Sequence, residues 1–120
     1  MDGVLLIDKP AGPTSHDVVA RLRRTSGERS IGHTGTLDPR ATGLLPLVLG
    51  KATRLASFLS GGDKTYEATI QLGVATDTDD ADGQPLGDQP KPPPSADAVI
   101  ATLATFMGEF EQIPPRHSAK

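Results

Sequence analysis

At 120 residues the chain makes at most one small domain, and with no cysteine it makes that domain without disulfides or thiol catalysis, as in a reducing cytosol. No apolar run approaches the roughly 20 residues of a membrane span, and Met1-Asp2-Gly3 lacks the basic flank of a secretory signal. The formal charge of −3 argues against nucleic acid only until it is divided: eight Lys/Arg stand against five Asp/Glu over residues 1–55, a local +3, and four against ten over residues 56–120, a local −6. A basic half can present a positive face to phosphates, although scattered solvated charge fits the split equally well.

In chain order, Val4 to Ile7 is a short apolar run that predicts a strand. Thr14 or Ser15 then offers an N-cap, and Val18, Val19 and Leu22 supply the stripe of a helix reaching about Arg24. Arg21 and Arg24 share a face of that helix, either solvated or on phosphates. Leu44 to Leu49 predicts a buried strand closed by Gly50, and Thr53 to Leu59 a helix stopped by Gly61-Gly62. Tyr66, Ala68, Ile70, Leu72 and Val74 alternate with polar residues, which predicts a strand with one buried and one wet face.

Residues 76–94 are acidic and then proline-rich. Counted from Asp77, the calcium-loop pattern fails, with Ala81 fifth, Asp82 where glycine is needed and Asp88 where glutamate is needed. A turn with an exposed loop is the expectation, with Lys91-Pro92-Pro93-Pro94 as a stiff connector. Ser95 caps a last helix whose Val99, Ile100, Leu103, Phe106 and Met107 read as core, and Phe110 to Ile113 begins a further strand. With three Phe and one Tyr, the core must be Leu, Val, Ile and Ala. The fold class is α+β, with a mixed or antiparallel sheet flanked by helices.

The densest chemistry lies between the first helix and the second strand, in Gly32-His33-Thr34-Gly35-Thr36-Leu37-Asp38-Pro39-Arg40-Ala41-Thr42-Gly43. Its glycines permit close approach, Pro39 biases Asp38 towards extended backbone, and Thr34, Thr36 and Thr42 can bond nearby backbone. An isolated Asp-Pro is an ordinary turn, but a turn needs only two or three such residues. The run holds one carboxylate, Asp38, in fixed geometry, as catalysis requires. It lacks the Gly-Lys-Ser/Thr ending of a phosphate-binding P-loop. Zinc is disfavoured, because cysteine is absent and His16, His33 and His117 are far apart in sequence.

This run, followed by Leu44-Leu45-Pro46, resembles the signature loop of the TruB family of tRNA pseudouridine synthases. Gly3-Val4-Leu5-Leu6-Ile7-Asp8-Lys9-Pro10 with Gly12-Pro13-Thr14-Ser15 resembles that family's opening motif. Lys64-Thr65-Tyr66, Leu72-Gly73, Thr76-Asp77-Thr78-Asp79 and Asp82-Gly83 resemble its second block. Gln112-Ile113-Pro114-Pro115 and Ser118-Ala119-Lys120 resemble the start of its third. The resemblance covers essentially the whole chain, in the right order.

The resemblance implies an enzyme that breaks the glycosidic bond of a uridine in the T-arm of tRNA, turns the base and rejoins it through carbon. It implies no cofactor and no metal, a cytoplasmic location, no membrane partner, and a monomer when full length. Asp38 matches the catalytic aspartate. Tyr66 matches the active-site tyrosine, catalytic and stacked on the extruded uracil, and His33 matches a histidine on the RNA where the target nucleotide has left the stack. Lys9 and Lys64 match basic positions at the pocket or on RNA phosphates. Residues 1–120 then correspond to the N-terminal portion of the catalytic domain. The arginine that pairs with the aspartate, the rest of the sheet and a C-terminal RNA-binding domain are expected beyond Lys120; Arg40 and Arg54 do not match that arginine's motif. Two other readings remain, a non-catalytic tRNA-binding or chaperone module and the related guide-RNA-dependent synthase. The direct start at Met1 into the first motif favours the stand-alone type.

Overall fold

The computed structural model describes residues 1–87 and 92–114. Lys91 of the connector, and Pro115 and Ser118-Ala119-Lys120 of the third block, lie outside the described residues. The chain divides into two compact units, Met1–Thr65 and a second that begins at Tyr66.

The first unit is built on an antiparallel sheet of β1 (Gly3–Lys9), β2 (Ile31–His33) and β3 (Gly43–Leu49), in the order β1-β3-β2. Directly paired residues share a face, so the pairs Ile7–Leu45, Leu5–Leu47, Lys9–Gly43, Ile31–Leu49 and His33–Leu47 all point to one side. That side carries the core: Leu45, Leu47, Leu49, Ile31 and Val19 are buried, with Ile7, Val18, Leu22 and Leu37 packed around them. The core is aliphatic, as composition requires. On the opposite side Val4, Leu6 and Leu44 are exposed.

Pro46 sits inside the central strand, where proline would ordinarily remove a ladder bond. Its carbonyl accepts from the Thr34 N–H at 3.1 Å, just past the last residue of β2. The N–H and C=O of one strand residue point to the same neighbour, so the donor that proline lacks faces the end of β2 and not β1. Pro46 therefore leaves the β1 ladder intact while β2 stops at His33. This short strand was not visible in the sequence.

Helix α1 (Ser15–Ser26) begins at Thr14, whose hydroxyl accepts from the Asp17 N–H at 3.0 Å while the Asp17 carboxylate accepts from the Thr14 N–H at 2.8 Å. This reciprocal pair satisfies donors that the first turn leaves free. The helix ends at Gly27, in the left-handed region at φ 72°. Arg23 donates to the Ile31 carbonyl at 2.7 Å, and because the Ser30 carbonyl faces β3 through Gly50, the Ile31 carbonyl lies on the outer edge of β2. The guanidinium thus covers an otherwise open strand edge. Arg21 and Arg24 are exposed, as a solvated or phosphate-facing pair would be. After β3 a 3₁₀ turn (Gly50–Leu55) leads into α2 (Ala56–Ser60), which ends before Gly61-Gly62 as expected.

The second unit departs further from expectation. Residues 66–74 alternate as a strand should but form none, and they are largely exposed. A strand needs a neighbour for its N–H and C=O groups, and among the described residues none lies beside this segment. The acidic stretch is a tight turn between β4 (Ala75–Thr76) and β5 (Pro85–Leu86). The Asp77 carboxylate accepts from the Gln84 N–H at 2.8 Å and the Thr76 hydroxyl donates to the Asp80 carbonyl at 2.7 Å, so its polar groups serve the turn. Helix α3 (Ala96–Ala104) has the expected Ser95 cap, but none of its residues is buried. Its apolar stripe is not a core stripe, because among the described residues of this unit no other element covers it. Phe110 to Ile113 is not a strand either. Among the described residues no helix is long and apolar enough to cross a membrane.

The α1 cap has a measurable signature. Thr14→Ala should lower stability by about 1 kcal/mol in urea unfolding. The Thr14 side chain, then its backbone N–H, hold the Asp17 carboxyl below its ordinary value of 3.8. A lowered folded-state pKa contributes stability that is present above pH 3.8 and lost as pH falls through the lowered value. The wild type should therefore lose stability more steeply than Thr14→Ala on acidification below that point.

Candidate active site

The loop from Thr34 to Thr42 leaves the sheet at His33 and re-enters it at Gly43, whose φ of 112° suits glycine at the entry to β3. Between these ends the backbone is fastened from below. Lys9, the last residue of β1, is fully buried, and its ammonium donates to the carbonyls of Pro10 at 3.0 Å, Pro39 at 3.2 Å and Ala41 at 2.6 Å. The Gly12 N–H also donates to the Pro39 carbonyl, at 2.7 Å. Ser15, buried at the start of α1, receives the Leu37 N–H at 2.9 Å and donates back to the Leu37 carbonyl at 3.2 Å. The Ala41 N–H closes a turn on the Asp38 carbonyl at 3.0 Å.

Asp38 is thus flanked by three residues whose backbone is held, at 37, 39 and 41. Its own side chain is exposed, and no hydrogen bond or ion pair occupies the carboxylate among the described residues. The mount is rigid and the acid is free. Of the three threonines expected to stiffen the loop, only Thr34 does so, through its N–H and hydroxyl on the Pro46 carbonyl; Thr36 and Thr42 are exposed.

His33 and Lys64 lie in the same unit. A Cβ built on Gly35 would stand 3.5 Å from Lys64 Cε, so the lysine stem passes over the loop where glycine leaves room. The Lys64 ammonium folds onto the Ser60 and Gly62 carbonyls at 2.8 and 3.4 Å, closing the end of α2. Lys9, expected among the RNA-binding residues, is instead occupied inside the fold. Tyr66 opens the second unit, 63% exposed and outside any strand.

Two of the residues that build this site carry a sequence signal that can be read afterwards. Lys9 has the same parity along β1 as Leu5 and Ile7, so it belongs to the inward face. Ser15 follows the N-cap directly on the stripe of Val19 and Leu22. His16 was missed for a different reason. Its ring meets that of His33 edge-on, at 5.3 Å between centroids and 77° between planes, and that contact depends on how α1 lies along β2. Among the described residues no group of three or more His, Asp or Glu could hold a metal.

The family model for TruB family pseudouridylate synthases (N-terminal domain) matches residues 23–120, which include this loop. The chain belongs to the TruB family. A tRNA pseudouridine synthase B from Opitutus terrae is 55% identical over 119 residues, covering 99% of this chain and 49% of the relative. The namesake from Geobacillus kaustophilus is 55% identical over 120 residues, covering 99% of this chain and 42% of the relative. The chain therefore spans less than half the length of these curated relatives. The crystal structure of a Cbf5–Nop10–Gar1 complex matches with a TM-score of 0.62 and 32% identity, over 98% of this chain and 30% of that one. The opening motif, outside the family-model match, is thus covered by the relatives, and in this TruB-family chain it is the part that fastens the loop.

Removing the ammonium while keeping the stem tests the mount. Lys9→Met leaves the buried stem without its ammonium and the part-buried Pro10 and Ala41 carbonyls without their lysine donor, and should destabilise the protein by about 2–4 kcal/mol in urea unfolding. Amide exchange of Gly12 and Ala41 should accelerate in parallel.

Proposed function

We propose that this chain is the N-terminal part of the catalytic domain of a tRNA pseudouridine synthase acting on a uridine of the T-arm. The observation that carries the reading is the fastening of Leu37, Pro39 and Ala41 around an unoccupied, exposed Asp38 carboxylate. The names of the relatives support the reaction and the RNA class.

The reaction is an isomerisation. The bond from ribose C1′ to uracil N1 breaks, the detached base turns, a bond forms from C1′ to C5, and the C5 proton leaves as N1 gains one. Nothing is oxidised or reduced overall. A carboxylate beside the sugar serves either as the nucleophile that holds C1′ or as the base that takes a sugar proton, and both roles need the fixed geometry that the mount supplies. Tyr66 stacks on the extruded uracil and its hydroxyl takes part in proton transfer. His33 contacts the RNA where the nucleotide has left, offsetting part of the cost of flipping. The motif assigns Lys64, whose stem passes the loop and whose ammonium closes α2, to RNA phosphates, and Lys9 acts through the loop it holds.

The likeness to the Cbf5–Nop10–Gar1 complex favours a second reading, a synthase that depends on a guide RNA. Identity of 55% to the tRNA enzymes, against 32% to that complex, supports the stand-alone type. Full-length protein incubated with tRNA transcript alone separates the two: modification without guide RNA or partner proteins is expected.

Asp38→Ala in the full-length protein should reduce release of the C5 hydrogen from the tRNA uridine by at least about a hundredfold, with RNA binding kept. Persisting activity would remove Asp38 from the chemistry, and lost modification with intact binding excludes a purely RNA-binding module. Tyr66→Phe should keep affinity and lose rate, whereas Tyr66→Ala should also weaken RNA binding by about 1–3 kcal/mol, the usual worth of a base stacked on an aromatic ring.

A further inference from the structure

His33 ends β2 on the face packed against α1, and its ring is only partly exposed. Its Nδ1 is buried and has no hydrogen-bond partner among the described residues. A histidine ring is usually fixed by a bond at one nitrogen, because the torsion that turns it is otherwise broad and two-fold. Without that bond, the orientation of His33 depends on packing. The ring beside it is His16, 5.3 Å away and tilted by 77°, within the edge-to-face arrangement that aromatic rings prefer.

His16 is well placed to act as a brace. It lies in the first turn of α1, one residue beyond Ser15, which is locked to Leu37. Further along the same flank, Arg23 holds the Ile31 carbonyl, two residues before His33. Both ends of the flank are therefore fixed to β2 and its loop, which holds the His16 backbone beside His33. His16 is itself exposed, so core packing does not explain its contact.

We propose that His16 is a positioning residue of the RNA-binding surface, bracing the His33 imidazole edge-to-face in the orientation that meets the RNA. This rests on His33 being an RNA contact, as in the reading above. His16 acts through His33 and need not touch the substrate.

A double-mutant cycle in the full-length protein tests it, with binding of a labelled T-arm stem-loop RNA as the readout and melting temperature as the control for folding. His16→Ala should weaken binding about three- to tenfold, the range an edge-to-face pair supports. His16→Phe, which keeps a ring edge, should restore most of it. In a His33→Ala background, His16→Ala should cost nothing further. Equal losses in both backgrounds, or a His16→Phe no better than His16→Ala, overturn the proposal. If His16→Ala does not fold, His16→Gln, polar but without a ring, carries the same comparison. A wild type that neither binds nor modifies the RNA overturns the functional reading together with this one, whereas an active wild type with additive losses overturns this one alone.

Discussion

An ammonium taken out of water is costly unless oxygens replace its hydration, and Lys9 is fully buried with three backbone carbonyls as its partners. The three oxygens belong to two chain segments. Pro10 follows β1, while Pro39 and Ala41 lie in the loop between β2 and β3. One cation therefore ties the exit of the first strand to the middle of a loop thirty residues away in sequence. The Gly12 N–H adds a bond to the Pro39 carbonyl, and Ser15 grips Leu37 from the start of α1. Neither could reach the loop unless β1 and α1 were already in register with β3, so the position of Asp38 expresses the packing of the whole first unit.

The same dependence explains what could be read from the sequence. Elements that need only their own residues were legible: β1 and β3 from their apolar runs, α1 from its cap and stripe, and α3 from Ser95. The loop was legible as a mount for Asp38, since its glycines and proline act locally. The parts of the mount were not, because a lysine, a serine and a glycine N–H from the opening motif become fasteners only when the strand pairing brings them under the loop. The threonines looked like the stiffening devices, yet two of the three make no hydrogen bond among the described residues. Backbone carbonyls, which no sequence pattern advertises, took that task.

The second unit shows the limit from the other side. Tyr66 to Val74 carries the clearest period of two in the chain and forms no strand, and α3 carries a helical apolar stripe and buries none of it. Alternation is a property of the segment; pairing and burial are properties of what lies beside it. The curated relatives are more than twice as long as the part matched here. The role of Tyr66 is thus read from the motif alone, while the first unit shows how Asp38 is mounted and what the His33 ring packs against.

A division of labour follows in that unit. The loop is held at its backbone carbonyls and N–H groups, met by Lys9, Ser15 and Gly12, with Thr34 adding a bond to Pro46. The Asp38 carboxylate is therefore left for work outward, exposed, with the His33 ring partly so. A carboxylate held by its own hydrogen bonds would be fixed but already engaged. One held through its neighbours' backbone is fixed and still free to meet a sugar or a base. Under the proposed function, that is the arrangement an acid needs when its substrate is a nucleotide that must first leave a folded RNA.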